Sequence, residues 1–240
     1  METMIEAQSL VISFKKKQVL VDLTMQVKKG EIFGLIGPSG AGKTTLVKAI
    51  IGMEKPKSGS VTVLDHAMPN LDVIERIGYM AQSDALYTDL TALENLDFFA
   101  SLYHLKGKEK QNRIQYAAGL VNLTNELGKK VGDFSGGMKR RLSLAIAVLS
   151  DPAVLILDEP TVGIDPELRR SIWAELTTLK NAGKAILVTT HVMDEAEKCD
   201  RLAMIRDGHL IAAGTPEELK METGSANLED VFLAFGREEK

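Results

Sequence analysis

Eight consecutive residues constrain this chain more than any other feature: Gly37-Pro38-Ser39-Gly40-Ala41-Gly42-Lys43-Thr44 has the spacing G-x-x-x-x-G-K-[ST]. They stand between an apolar run, Ile32 to Ile36, and a helical pattern from Thr45 to Ile51. A buried strand that stops, a turn loosened by glycine and a helix that begins there aim successive backbone N–H groups and the helix's positive end at one point. That point suits phosphate. A Gly-rich turn with an incidental lysine is the plainer alternative, and the flanking strand and helix argue against it. Lys43 is expected to reach the β- and γ-phosphates of a nucleoside triphosphate, and the Thr44 hydroxyl to coordinate Mg²⁺.

Such a site needs a carboxylate for the magnesium and a group to activate water. Val154 to Leu157 is an apolar strand ending in Asp158-Glu159. Open α/β sheets bind ligands at the carboxyl ends of their strands. Asp158 is therefore the metal carboxylate candidate, acting through a water, and Glu159 the general base candidate. His191 follows Ala185 to Val188 and Thr189-Thr190, so it belongs to the same edge and can face the γ-phosphate. Gln82, after the short strand Ile77 to Met80, can bring an amide oxygen to Mg²⁺ and the attacking water. His66, His104 and His209 have no such placement and read as ordinary surface or core residues.

The rest of the chain agrees with an α/β fold around a parallel sheet. The runs at Ile32, Val154 and Ala185 are continuously apolar, as in strands covered on both faces. Val19 to Val27 alternates, with Leu23, Met25 and Val27 on one side. Leu202 to Arg206 and His209 to Ala213 flank Asp207-Gly208, which predicts a β-hairpin. A helix after Gly137 is stopped by Asp151-Pro152; another starts with Asp165 as N-cap and Pro166 in its first turn, and ends near Gly183. Between Ala85 and Ser150 the pattern is helical, which suggests an inserted subdomain.

Composition narrows the class. The chain has 240 residues, with 29 Lys plus Arg against 33 Asp plus Glu, a formal charge of −4. That balance is wrong for a protein that wraps nucleic acid. The lone Cys199 rules out an internal disulfide and reads as a small packing residue. No apolar run approaches the roughly 18 residues of a membrane span, and METMIEAQSL has no basic stretch followed by an apolar one. A reducing, cytosolic setting is the expectation. Lys15 to Lys17 reads as a solvated turn.

One feature exceeds what a single phosphate loop needs. Phe134-Ser135-Gly136-Gly137-Met138 opens the helix that runs toward Ser150, a second Gly-rich helix N-terminus suited to an anion. It reads either as a helix cap followed by a basic solvated turn, Lys139, Arg140 and Arg141, or as a clamp on nucleotide held by another copy of the chain.

With these residues in hand, the sequence from about Ile5 to Gly214 resembles the nucleotide-binding subunit of an ATP-binding cassette (ABC) transporter. The loop at Gly37 resembles that family's Walker A motif, Gln82 its Q-loop and Phe134 to Met138 its signature. Val154 to Glu159 resembles its Walker B, Val162 to Asp165 its D-loop, and His191 its switch histidine. The resemblance implies a P-loop ATPase with a parallel core sheet, an antiparallel β subdomain and an inserted α-helical subdomain. It divides the chain into an ATP-binding core, 1–84 with 151–220, a helical signature subdomain, 85–150, and a short tail, 221–240. It implies ATP and Mg²⁺ as cofactors. Phe14 takes the place of an aromatic that stacks on adenine. The phosphate cradle comprises Gly37, Pro38, Ser39, Gly40, Ala41, Gly42, Lys43, Thr44 and Thr45. Gln82, Asp158, Glu159 and His191 complete the site, and Thr44, Gln82 and Asp158 are its metal group. Lys43, Ser135, Glu159 and His191 are its catalytic group.

The resemblance also implies pairing with a second copy, or a homologous subunit, head to tail. Ser135, Gly136 and Gly137 of one chain then close over the nucleotide of the other, with Ser135 and Gly137 donating to the γ-phosphate. Phe134 and Met138 replace the common Leu and Gln of the signature, and Met138 lacks glutamine's polar contact to the ribose. Transport requires transmembrane permease subunits on separate chains, which places this one at the cytoplasmic face of the membrane. Leu86 and Tyr87 are candidates to touch the permease; Phe98, Phe99 and Leu102 are assigned to the helical subdomain's own core. Asn227 to Phe232 resembles the ending of subunits from exporters of drugs, lipids or polysaccharides, or is a terminal amphipathic helix packed on the domain. The rival reading is a soluble ABC-type ATPase acting on nucleic acid or ribosomes, against which stand the single cassette, the lone cysteine and the lack of a long coiled-coil insertion. A GTPase or small-molecule kinase would lack the Ser-Gly-Gly signature.

Overall fold

The computed structural model describes residues 2–15, 17–83 and 85–236. Lys16 of the basic stretch, Asp84 at the expected subdomain boundary and 237–240 of the expected tail lie outside the described residues. Strands β1 (Thr3–Phe14) and β2 (Lys17–Lys28) pair antiparallel. β3 (Ile32–Ile36) is buried at every position and leads into α1 (Lys43–Ile50). β4 (Ser58–Val63) and β5 (His66–Ala67) return to the first sheet, whose order is β2-β1-β4-β5. After α2 (Leu71–Ile74) and β6 (Ile77–Met80) come the helices α3 (Ala92–Leu102), α4 (Gly107–Leu120) and α5 (Gly136–Val148). Then β7 (Val154–Asp158), α6 (Pro166–Asn181), β8 (Ala185–Thr190), α7 (Met193–Ala196), β9 (Arg201–Arg206) and β10 (His209–Gly214) complete a second sheet, ordered β10-β9-β3-β8-β7-β6. It is parallel except for β10. α8 (Pro216–Thr223) and α9 (Leu228–Phe235) follow.

The parallel sheet separates two cores. Because strand side chains alternate, Phe33, Leu35, Ile156, Leu187 and Ile205 face α1 and the antiparallel sheet. Ile32, Ile36, Leu155, Leu157, Ile186 and Val188 face the helices on the other side. Each central strand thus has no solvent face, which is why its sequence is continuously apolar. Helix boundaries follow local chemistry. The Asp165 carboxylate accepts from Leu168 N at 2.9 Å, with Pro166 following it, and α6 forms as expected. The hairpin turn puts Asp207 and Gly208 at φ +46° and +84°, the left-handed values a tight turn between twisted strands requires.

One strand is not visible in the sequence pattern, and one assignment changes. β1 escaped the alternation because it contains a phase switch: Ile5 and Ala7 are buried on odd positions, Leu10 and Ile12 on even ones, and Ser9 between them has φ +44°. Phe98 and Leu102, assigned to the helical core, are 42% and 60% exposed; Phe99 alone of that trio packs against it. Leu86 is partly buried against the same core, whereas Tyr87 is exposed.

Candidate active site

Register brings the chemistry to one sheet edge. Ile36 pairs with Thr190, Asp158 with Thr189 and Met80 with Leu157. The residues that leave these strand ends, Gly37, His191, Glu159 and Gln82, therefore start from the same level.

The loop between β3 and α1 is closed tightly on its neighbours. Gly42, the N-cap of α1, has φ +110°, and a Cβ there would meet the Leu20 side chain at 2.6 Å and the Val19 carbonyl at 3.0 Å. A Cβ on Gly37 would collide with the Ile205 carbonyl oxygen. Lys43 is buried, with Nζ donating to the Gly37 and Pro38 carbonyls at 2.6 and 3.1 Å. Burial lowers its pKa from the ordinary lysine value, while the nearby charges of Glu159 and Asp158 oppose that shift. An ammonium held in this way is arched over the loop where phosphate oxygens would take the place of the two carbonyls.

Asp158 is buried at the end of β7 and fully engaged by hydroxyls. Thr44 Oγ1 donates to one carboxylate oxygen at 2.9 Å, and Thr189 Oγ1 donates to the other. A hydroxyl and a carboxylate at this distance, with the Gln82 amide nearby in the cavity wall, are hard oxygen donors of the kind Mg²⁺ prefers. Among the described residues no three His, Cys, Asp or Glu side chains gather into a metal cage. The donor set fits a magnesium that keeps waters and phosphate oxygens as most of its ligands. A cavity of about 430 Å³ lies over the loop. Its walls are Ser39, Gly40, Gly42, Lys43, Thr44 and Thr45 together with Phe14, Val19, Gln82 and Glu159.

Glu159 occupies an unusual backbone position, φ +53°. Its N–H donates to the Thr189 carbonyl at 3.1 Å and contacts Thr189 Oγ1 at 3.0 Å. Its Oε1 lies 3.1 Å from His191 Nδ1, so the carboxylate and the imidazole face each other at the cavity margin. His191 also lines a second cavity, of about 420 Å³, with Gly37, Pro38 and residues of α9. The other histidines remain on the surface.

Ser135, Gly136 and Gly137 lie elsewhere. They form the N-terminus of α5, where Ser135 Oγ accepts from Met138 N at 3.3 Å, and none of them lines the cavity that holds Lys43. Phe134, next to them, is buried. The basic residues that follow are not a solvated turn. Arg140 is buried, and Arg141 reaches the Val121 and Asn122 carbonyls at 3.4 and 3.3 Å. Cys199 is buried as a packing residue, and burial pushes its thiol pKa up.

Sequence reasoning missed a second set of polar residues. Thr189 orders both Asp158 and Glu159. Glu195 is buried in α7, accepting from Thr161 Oγ1 and from Thr190 Oγ1, the latter at 2.8 Å, with Arg169 Nε 3.7 Å away. It ties the loop after Glu159 to the strand end before His191. An acidic residue in a polar helical stretch carries no signal of burial by itself; the pairing with two threonines at strand ends is tertiary.

Comparison with known proteins places the chain in a family. The protein-family profile described as "ABC transporter" matches residues 20–162. The Nod factor export ATP-binding protein I of Rhizobium meliloti (strain 1021) is 44% identical over 90% of this chain and 65% of its own length. A probable multidrug ABC transporter ATP-binding protein, YbhF of Escherichia coli (strain K12), is 39% identical over 93% of this chain and 39% of its own. The chain thus spans about two thirds or less of these relatives. A dimeric structure of the ATP-binding cassette MJ0796, in a post-hydrolysis state bound to ADP and Pi, superimposes with a TM-score of 0.82. It has 26% identity and covers 88% of this chain and 98% of that one.

Proposed function

The chain belongs to the ABC transporter family and has the P-loop fold of its ATP-binding cassettes, which are ATPases; from that premise we propose that it hydrolyses ATP as one half of a head-to-tail pair and thereby powers export through separate membrane subunits. One observation carries the pairing. Of the two Gly-rich helix N-termini that suit phosphate among the described residues, the one at Lys43 lines the cavity with Glu159, while that at Ser135 is exposed and does not. Two copies related by a two-fold axis would each lay Ser135 and Gly137 on the other's nucleotide and complete two equivalent sites.

In this reading Phe14 offers its face to adenine, and the backbone from Gly37 to Thr45 with Lys43 holds the phosphates. Thr44, Asp158 (through a water) and Gln82 would hold Mg²⁺, which supplies charge neutralisation at the phosphate oxygens. Glu159 accepts a hydrogen bond from the attacking water and orients it in line with the γ-phosphate. His191, set by its contact with Glu159, donates toward the same phosphate. Lys43 and the partner's Ser135 place positive and donor groups where charge spreads as the phosphoryl group departs. The chain is divided as 1–84 with 151–220 for nucleotide, 85–150 for the signature and permease contact, and 221–240 as a tail. Residues 237–240 of that tail, and Asp84 at the boundary, lie outside the described residues.

Among the described residues no helix is long and apolar enough to cross a membrane. On this reading transport runs through permease chains, with this one held peripherally at their cytoplasmic side. Export rather than import is supported by the two relatives, named for Nod factor export and multidrug transport. The test is Glu159→Gln with ATP. The variant is expected to bind nucleotide and elute as a dimer in size-exclusion chromatography. Elution as monomer at saturating ATP would count against the pairing.

A further inference from the structure

Arg140 projects from the first turns of α5, one turn after the Ser135 cap, and its guanidinium meets four backbone carbonyls. Nη1 donates to Ala81 at 2.7 Å and Gln82 at 2.9 Å; Nη2 donates to Asp158 and, at 2.7 Å, to Glu159. The side chain is buried. One planar cation therefore joins three segments: the helix that presents Ser135, the loop that carries Gln82, and the strand end that carries Glu159. A guanidinium has five N–H groups in a rigid fork, so it can serve carbonyls from two chain segments at once; a lysine ammonium, with donors radiating from one atom, cannot reproduce that spread. The hold on Glu159 matters because its φ of +53° is sparsely populated for a residue with a side chain and persists only where surroundings over-determine it. Thr189 fixes its N–H and Arg140 its carbonyl.

We propose that Arg140 is a positioning residue that couples the two nucleotide sites of the pair. This rests on the head-to-tail reading. In that arrangement Ser135 of a chain touches the nucleotide bound by its partner, whereas Glu159 and Gln82 of the same chain act on its own nucleotide. Arg140 lies on the route between them. When Ser135 engages phosphate, α5 is fixed, and through Arg140 the carbonyls of Gln82 and Glu159 are fixed with it. ATP at one seam thereby sets the water-orienting carboxylate at the other.

The experiment compares wild type, Arg140→Lys and Arg140→Ala as full chains in steady-state ATPase assays over a range of ATP, with nucleotide affinity measured separately by a fluorescent ATP analogue and folding by thermal melting. Wild type is expected to show a Hill coefficient above 1. Arg140→Lys is expected to melt within a few degrees of it, bind the analogue within about threefold, lose at least about tenfold in kcat and fall to a Hill coefficient of 1. Added ethylguanidinium is expected to restore part of the kcat of Arg140→Ala and none of that of Arg140→Lys. The inference is overturned by an Arg140→Lys variant with wild-type kcat and cooperativity. It is equally overturned if both variants lose affinity and folding in step with kcat, because Arg140 would then only hold the fold. ATP-dependent dimerisation of Glu159→Gln, run alongside, separates the two failures: no dimer removes the head-to-tail reading itself, while a dimer together with an unaffected Arg140→Lys removes only the coupling.

Discussion

Lys43 combines a cationic role with a buried position, and the two pull against each other. Burial lowers its pKa, so in the nucleotide-free chain part of the ammonium charge is lost at a lower pH than for an exposed lysine. Triphosphate brings negative charge to the ammonium and raises its pKa again. Binding at alkaline pH must therefore take up protons. At about pH 9 the phosphate groups are already fully ionised and contribute nothing to that uptake. Titration calorimetry in two buffers of different ionisation enthalpy is expected to give different apparent enthalpies for wild type. The difference is expected to grow as the pH of the titration is raised toward the ordinary lysine value, and its absence across that range would contradict proton uptake at Lys43. Lys43→Ala is expected to lose most of its ATP affinity. Residues of this kind were legible because their type, spacing and flanking strand state the chemistry together. Arg140 and Glu195 were not, since an arginine or glutamate on a polar helical stretch looks solvated until distant loops close over it.

At the scale of elements, the N-terminus of α5 has a structural cap that is also an outward-facing donor, and the two roles can be separated by a control. Thr91 caps α3 with a full capping box, its Oγ1 accepting from Glu94 N at 3.2 Å while the Glu94 carboxylate accepts from Thr91 N at 2.7 Å. Ser135 caps α5 by one long bond. Thr91→Ala and Ser135→Ala should each cost about 1 kcal/mol or less, a melting shift of about 2–4 °C for a chain of this size. Only Ser135→Ala is expected to lower ATP turnover, by a factor of at least about 10, because only that hydroxyl would reach the partner's phosphate. Equal turnover in the two variants would reduce Ser135 to a cap. The central strands and α6 were readable since each satisfies its own local rule: continuous apolar runs for double-sided burial, Asp165-Pro166 for a helix start. β1 was not, because its bulge at Ser9 breaks the period of two on which strand reading depends, and β5, two residues long, is set by pairing with β4.

For the molecule as a whole, one exposed apolar cluster stands on the helical layer, among other exposed apolar residues that include Met53, Leu71 and Met221. Tyr87 and Phe98 meet edge-to-face with ring centroids 4.9 Å apart, and Phe98 meets Phe99 at 5.3 Å. Leu93 and Leu102 are exposed beside them on the same helix, and a cavity of about 760 Å³ opens along Leu90, Leu93, Phe98 and Ile114. The patch is held in shape from below: buried Asn95 accepts from Tyr87 N at 2.9 Å and donates to the Tyr87 and Thr91 carbonyls at 3.0 and 2.9 Å. A rigid aromatic surface of this kind loses little entropy when it is covered, which suits a docking face for a membrane subunit. On the proposed permease contact, the exposed Phe98, unforeseen from its helical spacing, joins Tyr87, whereas Leu86 is partly buried against the core. Truncating a central aromatic at an interface costs about 2 kcal/mol or more, roughly thirtyfold in affinity. Phe98→Asp and Tyr87→Ala are therefore expected to leave the ATPase rate of the purified chain within twofold of wild type, since neither residue touches the nucleotide cavity. Both are expected to release the chain from native membranes into the soluble fraction. Unchanged recovery with membranes in the double variant would move the permease contact to another face.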